Sequence, residues 1–231
     1  MSRVILMVSM GVLVSGCSGL LHSDVVPTQI YVLRAAASPT RAASEQAQAL
    51  DAARAASATP ARSSPDEPPP SLQVPRPQAD PGLANELITL VRSDHRMDRY
   101  AGSSWAGSLP DVVETLAIDT LRASGAWSSV NDAPSPFAAD YLLQINIRRF
   151  EADYTGGSEA PRVYVTLDCT IARRVGRELL TSFVAEGTAD AQENKMSAVV
   201  GAFEKAANMA LASMAQRSAE AIKMSKAPST P

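Results

Sequence analysis

Apolar and polar positions alternate along much of the second half of the chain, with the period of two that is typical of half-buried β-strands. From Tyr141 to Arg148 every second residue is a large apolar one, and residues 162–173 and 178–188 repeat the pattern. Only short turns separate these runs, whereas a parallel pair needs a crossover of about a dozen residues. The sequence therefore predicts three antiparallel strands in a meander.

Two other segments carry apolar residues at helical spacing. The first follows Ser108-Leu-Pro-Asp111, which resembles a capping box, and it ends near Gly125, which suits a left-handed stop. In the second, an apolar stripe runs from Met196 to Met214, with Asn194 as a candidate cap. We expect this stripe to pack in the core, and a partner-binding groove is the alternative.

Shorter apolar runs precede the meander and predict further strands at residues 29–34, 71–75, 87–92, 96–100 and 127–130. Runs of strands combined with two helices are typical of an α+β fold. We therefore predict a mainly antiparallel sheet with two principal helices packed on one face.

The chain divides by composition into a body and low-complexity flanks. Residues 35–70 are rich in Ala, Ser and Pro, and Leu50 is their only large aliphatic residue, which predicts a disordered linker or insertion. The strand at 29–34 lies before this insertion. Residues 71–217 form the predicted body, and residues 218–231 a disordered tail.

Charge and cysteine content exclude several classes of protein. The net charge of −3 and the pI near 5.5 offer no basic surface for nucleic acid. Of the two cysteines, Cys169 alternates in step with the apolar residues of its strand, which predicts a small buried side chain rather than a reactive thiol.

Candidate catalytic groups are few. The two histidines are His22, near the N-terminus, and His95, in a predicted turn. The sequence contains no Gly-x-Ser-x-Gly elbow, no phosphate-binding Gly-rich loop and no cluster of Cys or His at metal-ligand spacing. Glu151 and Asp153 alternate on one strand face and are interpreted as a solvated surface. We therefore expect no enzyme activity, no metal and no cofactor.

The N-terminus has the pattern of a secreted lipoprotein. A basic start is followed by an apolar run at 4–14, which is shorter than the roughly 20 residues of a membrane-spanning helix. The run ends in Val14-Ser-Gly-Cys17, which resembles a bacterial lipobox, and an ordinary signal peptide is the alternative. Residues 1–16 are then the signal peptide, Cys17 carries covalent acyl chains such as palmitate, and residues 17–28 form a lipidated tether.

A particular set of short motifs, taken in order, resembles the ABC-type transport auxiliary lipoproteins, a family similar to paraquat-inducible protein C. Beside the lipobox, the matching motifs are Tyr31-Val-Leu33, Leu72-Gln-Val74, Ile88-Thr-Leu-Val-Arg92, Arg99-Tyr100, Trp105-Ala106, Ser124-Gly-Ala-Trp-Ser-Ser-Val130, Ala139-Asp-Tyr-Leu-Leu143, Phe150-Glu151 and Ala202-Phe203. They cover about residues 28–34 and 71–217, and the insertion at 35–70 is longer than the family pattern leads one to expect.

The resemblance implies a non-catalytic auxiliary component of an intermembrane lipid transport system. Its partners would be a protein with MCE (mammalian cell entry) domains and an ABC permease with its ATPase, and the chain could assemble as a homo-oligomeric ring. Ser18, which follows Cys17, is not the Asp that favours inner-membrane retention in enteric bacteria, so we expect the periplasmic face of the outer membrane.

Tyr100 and Trp105 are the candidate partner contacts, because aromatic residues are enriched at binding hot spots. Packing of Trp105 on the sheet is the alternative. Two other functions stay open at this point: a periplasmic lipid carrier or chaperone, and a structural lipoprotein of another envelope complex.

Overall fold

The computed structural model describes residues 27–36, 68–133 and 135–226. The predicted signal peptide, the lipidation site Cys17, most of the tether and most of the insertion lie outside the described residues. So do the last residues of the predicted tail.

The described residues form nine strands, two α-helices and one short 3₁₀ turn at Val175–Arg177. In chain order the strands and helices are β1 (Gln29–Tyr31), β2 (Ser71–Val74), β3 (Gln78–Ala79), β4 (Leu87–Val91), β5 (Met97–Trp105), α1 (Leu109–Ala123), β6 (Ser129–Asp132), β7 (Tyr141–Asp153), β8 (Arg162–Arg173), β9 (Glu178–Asp190) and α2 (Met196–Lys226).

Strand β7 organises the sheet, since it pairs with other strands along both edges. On one edge it runs antiparallel to β8, which in turn pairs antiparallel with β9 along its whole length. These long ladders confirm the predicted meander. On the other edge, the short strands β2, β3 and β4 follow one another along β7.

All three of these short strands run parallel to β7, and β1 runs parallel to β5. The sequence did not predict these parallel pairs. Each is short, and each joins segments that are distant along the chain, so no local pattern marks it. The long ladders are antiparallel, and the α+β fold with two helices is confirmed.

A bulge in β7 between Ile147 and Arg149 shifts the alternation of inward and outward residues by one position. Beyond it, Phe150 and Ala152 are buried in the core. Glu151 therefore lies on the opposite face of the sheet. The interpretation of that carboxylate as solvated is wrong, because Glu151 is only 8% exposed.

Arg149 explains how this carboxylate is tolerated away from water. Its guanidinium lies 2.8 Å from Glu151 and 3.4 Å from Asp153, and it stacks 4.3 Å from the ring centre of Tyr164. A mostly buried carboxylate that is ion-paired and hydrogen-bonded in this way is a structural element of the outer face.

Three aromatic rings form the centre of the core between the sheet and the helices. Trp105 meets Phe150 and Phe203 edge to face, with ring centroids 5.9 and 5.2 Å apart, and the two phenylalanines stack at 5.3 Å. These rings come from β5, β7 and α2. They therefore join the parallel part of the sheet, the meander and the long helix.

Helix α1 begins after Ser108, as predicted, but that residue does not act as a side-chain cap. Its hydroxyl donates to Asp111 and accepts from Arg76 instead. At the other end of the helix, Gly125 has a φ of 66°, which confirms the left-handed stop.

Helix α2 continues to Lys226, so the prediction of a disordered tail from residue 218 is wrong over 218–226. Ser218, Ala221 and Ile222 are buried, although small side chains give this turn little apolar signal. Asn194 is not a helix cap, since the first helical bond runs from Val199 N–H to the carbonyl of Lys195.

Helix α2 lies very close to the backbone of β9 at Gly187. A β-carbon built on this glycine would lie 2.0 Å from the carbonyl oxygen of Ala206 and 2.8 Å from the backbone nitrogen of Ala210. The buried face of the helix is correspondingly rich in alanine: Ala202, Ala206, Ala207, Ala210 and Ala215. Small residues on both sides let the two backbones come together.

We predict that Gly187→Ala lowers the free energy of unfolding by at least about 1–3 kcal/mol, because the added methyl group must push helix and strand apart. Urea denaturation of the full-length chain measures it. Gly201→Ala is the matched control, since a β-carbon at that exposed helical position meets no atom within 4 Å. It should stabilise by about 0.5–1 kcal/mol through helix propensity. Equal stability of Gly187→Ala and the original chain would contradict the close approach.

The buried thiol of Cys169 generates a second prediction. This residue is 1% exposed, which confirms the predicted buried side chain, and burial raises the pKa of the thiol to about 12. Alkylation followed by peptide mass spectrometry should therefore leave Cys169 unmodified at a pH near the ordinary thiol pKa of about 8.5. Denaturation should expose it to complete modification. Rapid labelling of the folded protein would show that the core opens at this strand.

Candidate functional site

The segment that follows β1, residues 32–36, crosses helix α2 and is called the strap here. Two side chains of the helix hold its backbone. The Glu204 carboxylate accepts from Arg34 N–H at 3.1 Å. The Asn208 amide accepts from Ala36 N–H at 2.8 Å and donates to the carbonyl of Arg34 at 3.1 Å.

The spacing of these two helical residues explains the attachment. Glu204 and Asn208 are four residues apart, so they lie on the same face of α2, one turn from each other. Leu33 anchors the strap from its other side with 6% exposure, in the same core as the aromatic rings. The strap is therefore fixed to the body by hydrogen bonds and by one buried side chain.

A groove of about 580 Å³ lies between the strap and helix α1. Its apolar lining comes from both walls: Val32, Leu33, Ala35 and Ala36 of the strap, and Ala106, Val112, Leu116 and Ala123 in and beside the helix. A volume of this size is typical of small-molecule sites, which are mostly apolar with a few polar groups. The groove is the candidate functional site.

Charged side chains lie at the rim of the groove. Asp111 and Asp119 line it from the helix and Arg34 from the strap. The Arg76 guanidinium and the Ser108 hydroxyl both donate to Asp111 and hold the pKa of its carboxyl below the usual range. Asp111 is therefore ionised at neutral pH. The arrangement can bind an apolar chain and orient a polar group at the rim.

The described lining of the groove contains no cysteine, histidine or serine that could act as a nucleophile or base. His95 lies elsewhere, exposed at the tip of the β4–β5 hairpin with a φ of 63°, as expected for a turn residue. Among the described residues, no group of three or more His, Cys, Asp or Glu side chains is arranged to hold a metal ion.

The structure places the two candidate contact residues in different environments. Trp105 is 2% exposed in the aromatic core, so the alternative of packing on the sheet is what the structure shows. Tyr100 is half-buried on β5, and its hydroxyl lies 2.9 Å from that of Tyr154. Tyr154 in turn donates to Asn194 at 2.7 Å. Burial and this neighbour raise the pKa of Tyr100 well above its ordinary value.

The sequence reasoning missed the groove because its walls come from distant parts of the chain. The sequence pattern assigns residues 32–34 to the first predicted strand and residues 35 and 36 to the predicted insertion. The signal that could have found them is the pair Glu204 and Asn208, polar residues one turn apart within a largely apolar and alanine-rich helix.

Comparison with solved structures supports this architecture. Protein XCC0632 from Xanthomonas campestris superposes with a TM-score of 0.63 at 22% identity, over 70% of this chain and 92% of that one. PelC from Paraburkholderia phytofirmans, solved as a dodecamer, gives a TM-score of 0.36 at 19% identity, over 66% and 94% of the two chains. At 22% identity, the likeness to XCC0632 concerns the fold alone. The TM-score for PelC is too low to carry further argument. No curated protein compared with the chain matches it.

The family comparison is more specific. The model described as ABC-type transport auxiliary lipoprotein component matches residues 49–215, so it begins within the segment predicted to be an insertion and ends inside α2. Lipoprotein character implies attachment to a membrane of the cell envelope. Among the described residues, neither helix is long and apolar enough to cross a bilayer. Because the match spans most of the chain, the protein belongs to the family of ABC-type transport auxiliary lipoprotein components.

Proposed function

We propose that this lipoprotein is the non-catalytic auxiliary component of an MCE/ABC-type intermembrane lipid transport system. Membership of the auxiliary family over residues 49–215 is the observation that carries the proposal. The partners would be an MCE-domain protein and an ABC permease with its ATPase. Acyl chains on Cys17 would anchor the chain at the periplasmic face of the outer membrane, and homo-oligomerisation into a ring is part of the proposal.

The described structure supports a docking role for the body. The candidate site is a groove with a mainly apolar lining, which suits binding of a partner or ligand. Tyr100 remains the proposed partner contact of the two aromatic candidates, since it is only partly buried, whereas Trp105 is 2% exposed.

The test is affinity purification of the full-length protein from gently solubilised envelopes, followed by mass spectrometry. We expect an MCE-domain protein and an ABC permease in the eluate. With Tyr100→Ala the MCE-domain protein should be bound at least about 30-fold more weakly, the loss expected for an interface hot spot. Tyr154→Phe is the control, because it removes the tyrosine–tyrosine hydrogen bond, together with the bond to Asn194, and leaves the Tyr100 ring in place.

The outcomes distinguish the proposed contact through Tyr100 from the proposed role in lipid transport. Equal loss of binding in both variants would assign the effect to local structure and contradict a contact through the Tyr100 ring. Consistent recovery of a different envelope complex, with no permease and no MCE-domain protein, would contradict the transport proposal. It would favour a structural lipoprotein of that other complex.

The groove favours a second candidate function, a periplasmic lipid carrier. Its volume and apolar walls suit one acyl chain, with an anionic head group near Arg34. The cargo would then be a fatty acid, a phospholipid or another lipid with an extended apolar part.

For a carrier, lipid extracted from the purified full-length protein should be near-stoichiometric and should fall to background in Thr115→Trp. Thr115 is an exposed residue of the groove wall, so a large ring there fills the groove without overpacking the core. Met209→Trp adds the same ring at a helical position that is 47% exposed and outside the groove, and it should retain the lipid. Equal lipid content in all three proteins would exclude the groove as the binding site.

A further inference from the structure

The turn between β8 and β9 exposes aliphatic side chains at one end of the sheet. We call residues 172–179 the β8–β9 tip. Val175 is 82% exposed, the highest value among the large hydrophobic residues that the structure describes, and Leu179 is 61% exposed. Leu179 pairs with Ala172 across the ladder, and Ala172 pairs with Leu142 of β7. An apolar strip therefore crosses three strands beside the apex.

Three arginines surround this strip: Arg173, Arg174 and Arg177. Within the tip they face a single acidic residue, Glu178, which lies 3.2 Å from Arg173. The nearby carboxylate of Asp140 accepts hydrogen bonds from the backbone and hydroxyl of Ser71. The tip is therefore basic, whereas the whole chain has a net charge of −3.

A buried glutamine holds one of these arginines in place. Gln73 is 8% exposed, its amide nitrogen donates to the carbonyls of Asp132 and Ala133, and its oxygen accepts from Arg174. One N–H of the Arg174 guanidinium thus attaches this side chain to the body. The other N–H groups of the guanidinium take no part in that hydrogen bond. Ordering it in advance reduces the entropy lost when an anion binds.

The backbone of the apex is also unusual. Gly176 has a φ of 81° and the next residue, Arg177, has a φ of 52°. A left-handed conformation is uncommon for residues other than glycine, and it clusters at binding and switching sites. Here it forms a tight turn in which Val175 is exposed and lies between Arg174 and Arg177 along the chain.

We propose that the β8–β9 tip binds an anionic membrane surface, with Val175 entering the interface and the arginines contacting lipid phosphates. Aliphatic residues beside basic ones are the combination that attaches peripheral segments to anionic membranes. A membrane is favoured over an acidic protein because the exposed side chains beside the arginines, Val175 and Leu179, are aliphatic and offer no hydrogen bond to a protein partner, whereas they can enter a lipid interface. The tip is separate from the groove, and the inference does not depend on the proposed function.

Tryptophan quenching by brominated lipids tests the proposal with the full-length protein. The native residues Trp105 and Trp127 are buried at 2% and 9% exposure, so an added ring at the surface gives the quenching signal. The test variant is Val175→Trp. The matched control is Val184→Trp, at a position in β9 that is 46% exposed and lies outside the tip and its three arginines. The vesicles contain brominated phosphatidylcholine, either alone or mixed with phosphatidylglycerol.

We expect strong quenching of Val175→Trp in vesicles with phosphatidylglycerol, weak quenching without it, and little quenching of Val184→Trp in either. Adding Arg173→Gln and Arg177→Asn to Val175→Trp should lower the ratio of inserted to free tips roughly fivefold for each arginine removed. Thermal unfolding of each variant checks that the fold is retained.

Three results would overturn the proposal. The first is an unquenched ring at position 175 with phosphatidylglycerol present, which is also what binding of an acidic protein in place of a membrane predicts. The second is equal quenching at positions 175 and 184, which indicates that the whole face lies on the membrane. The third is strong quenching that does not depend on phosphatidylglycerol or on the arginines.

Discussion

The close packing of helix α2 against the meander is the constraint on which the other features depend. At Gly187 the backbone of β9 comes within contact distance of the helix backbone at Ala206, which only a glycine allows. Two residues further along the helix, Asn208 binds the strap. The same short segment of α2 thus fixes the helix on the sheet and fixes the strap on the helix. Since the strap is one wall of the groove, the shape of the groove follows from this packing.

Local patterns were sufficient to predict much of the fold. Alternation along β7, β8 and β9 gave three strands, short turns gave their antiparallel order, and the stripe beginning at Met196 gave the long helix. The parallel pairs of β1 to β4 could not be predicted, because they join segments separated by the insertion or by other elements. The burial of Glu151 could not be predicted either, since a bulge leaves no mark in a pattern of single residues.

The candidate site was less predictable than the fold for the same physical reason. Tyr100 and Trp105 were selected as aromatic residues near the first helix, but burial depends on tertiary contacts, and Trp105 lies between Phe150 and Phe203. The groove depends on hydrogen bonds between the strap and Asn208. One strap residue bonded to it, Ala36, lies 172 positions earlier in the chain. No window of sequence contains both partners.

The shifted pKa values of the titrating groups follow from their local contacts. Shifted pKa values mark functional sites when burial and a specific partner prepare a group for proton transfer. Here the lowered pKa values of Asp98 and Asp190 follow from hydrogen bonds, with Arg99 and Arg92 for the first and Arg162 for the second, at exposed positions. The raised pKa of Tyr100 follows from burial beside Tyr154. The lowered pKa of Asp111, which lines the groove, follows in the same way from its hydrogen bonds with Arg76 and Ser108. The groove itself offers shape and apolar surface, which are the properties that binding requires.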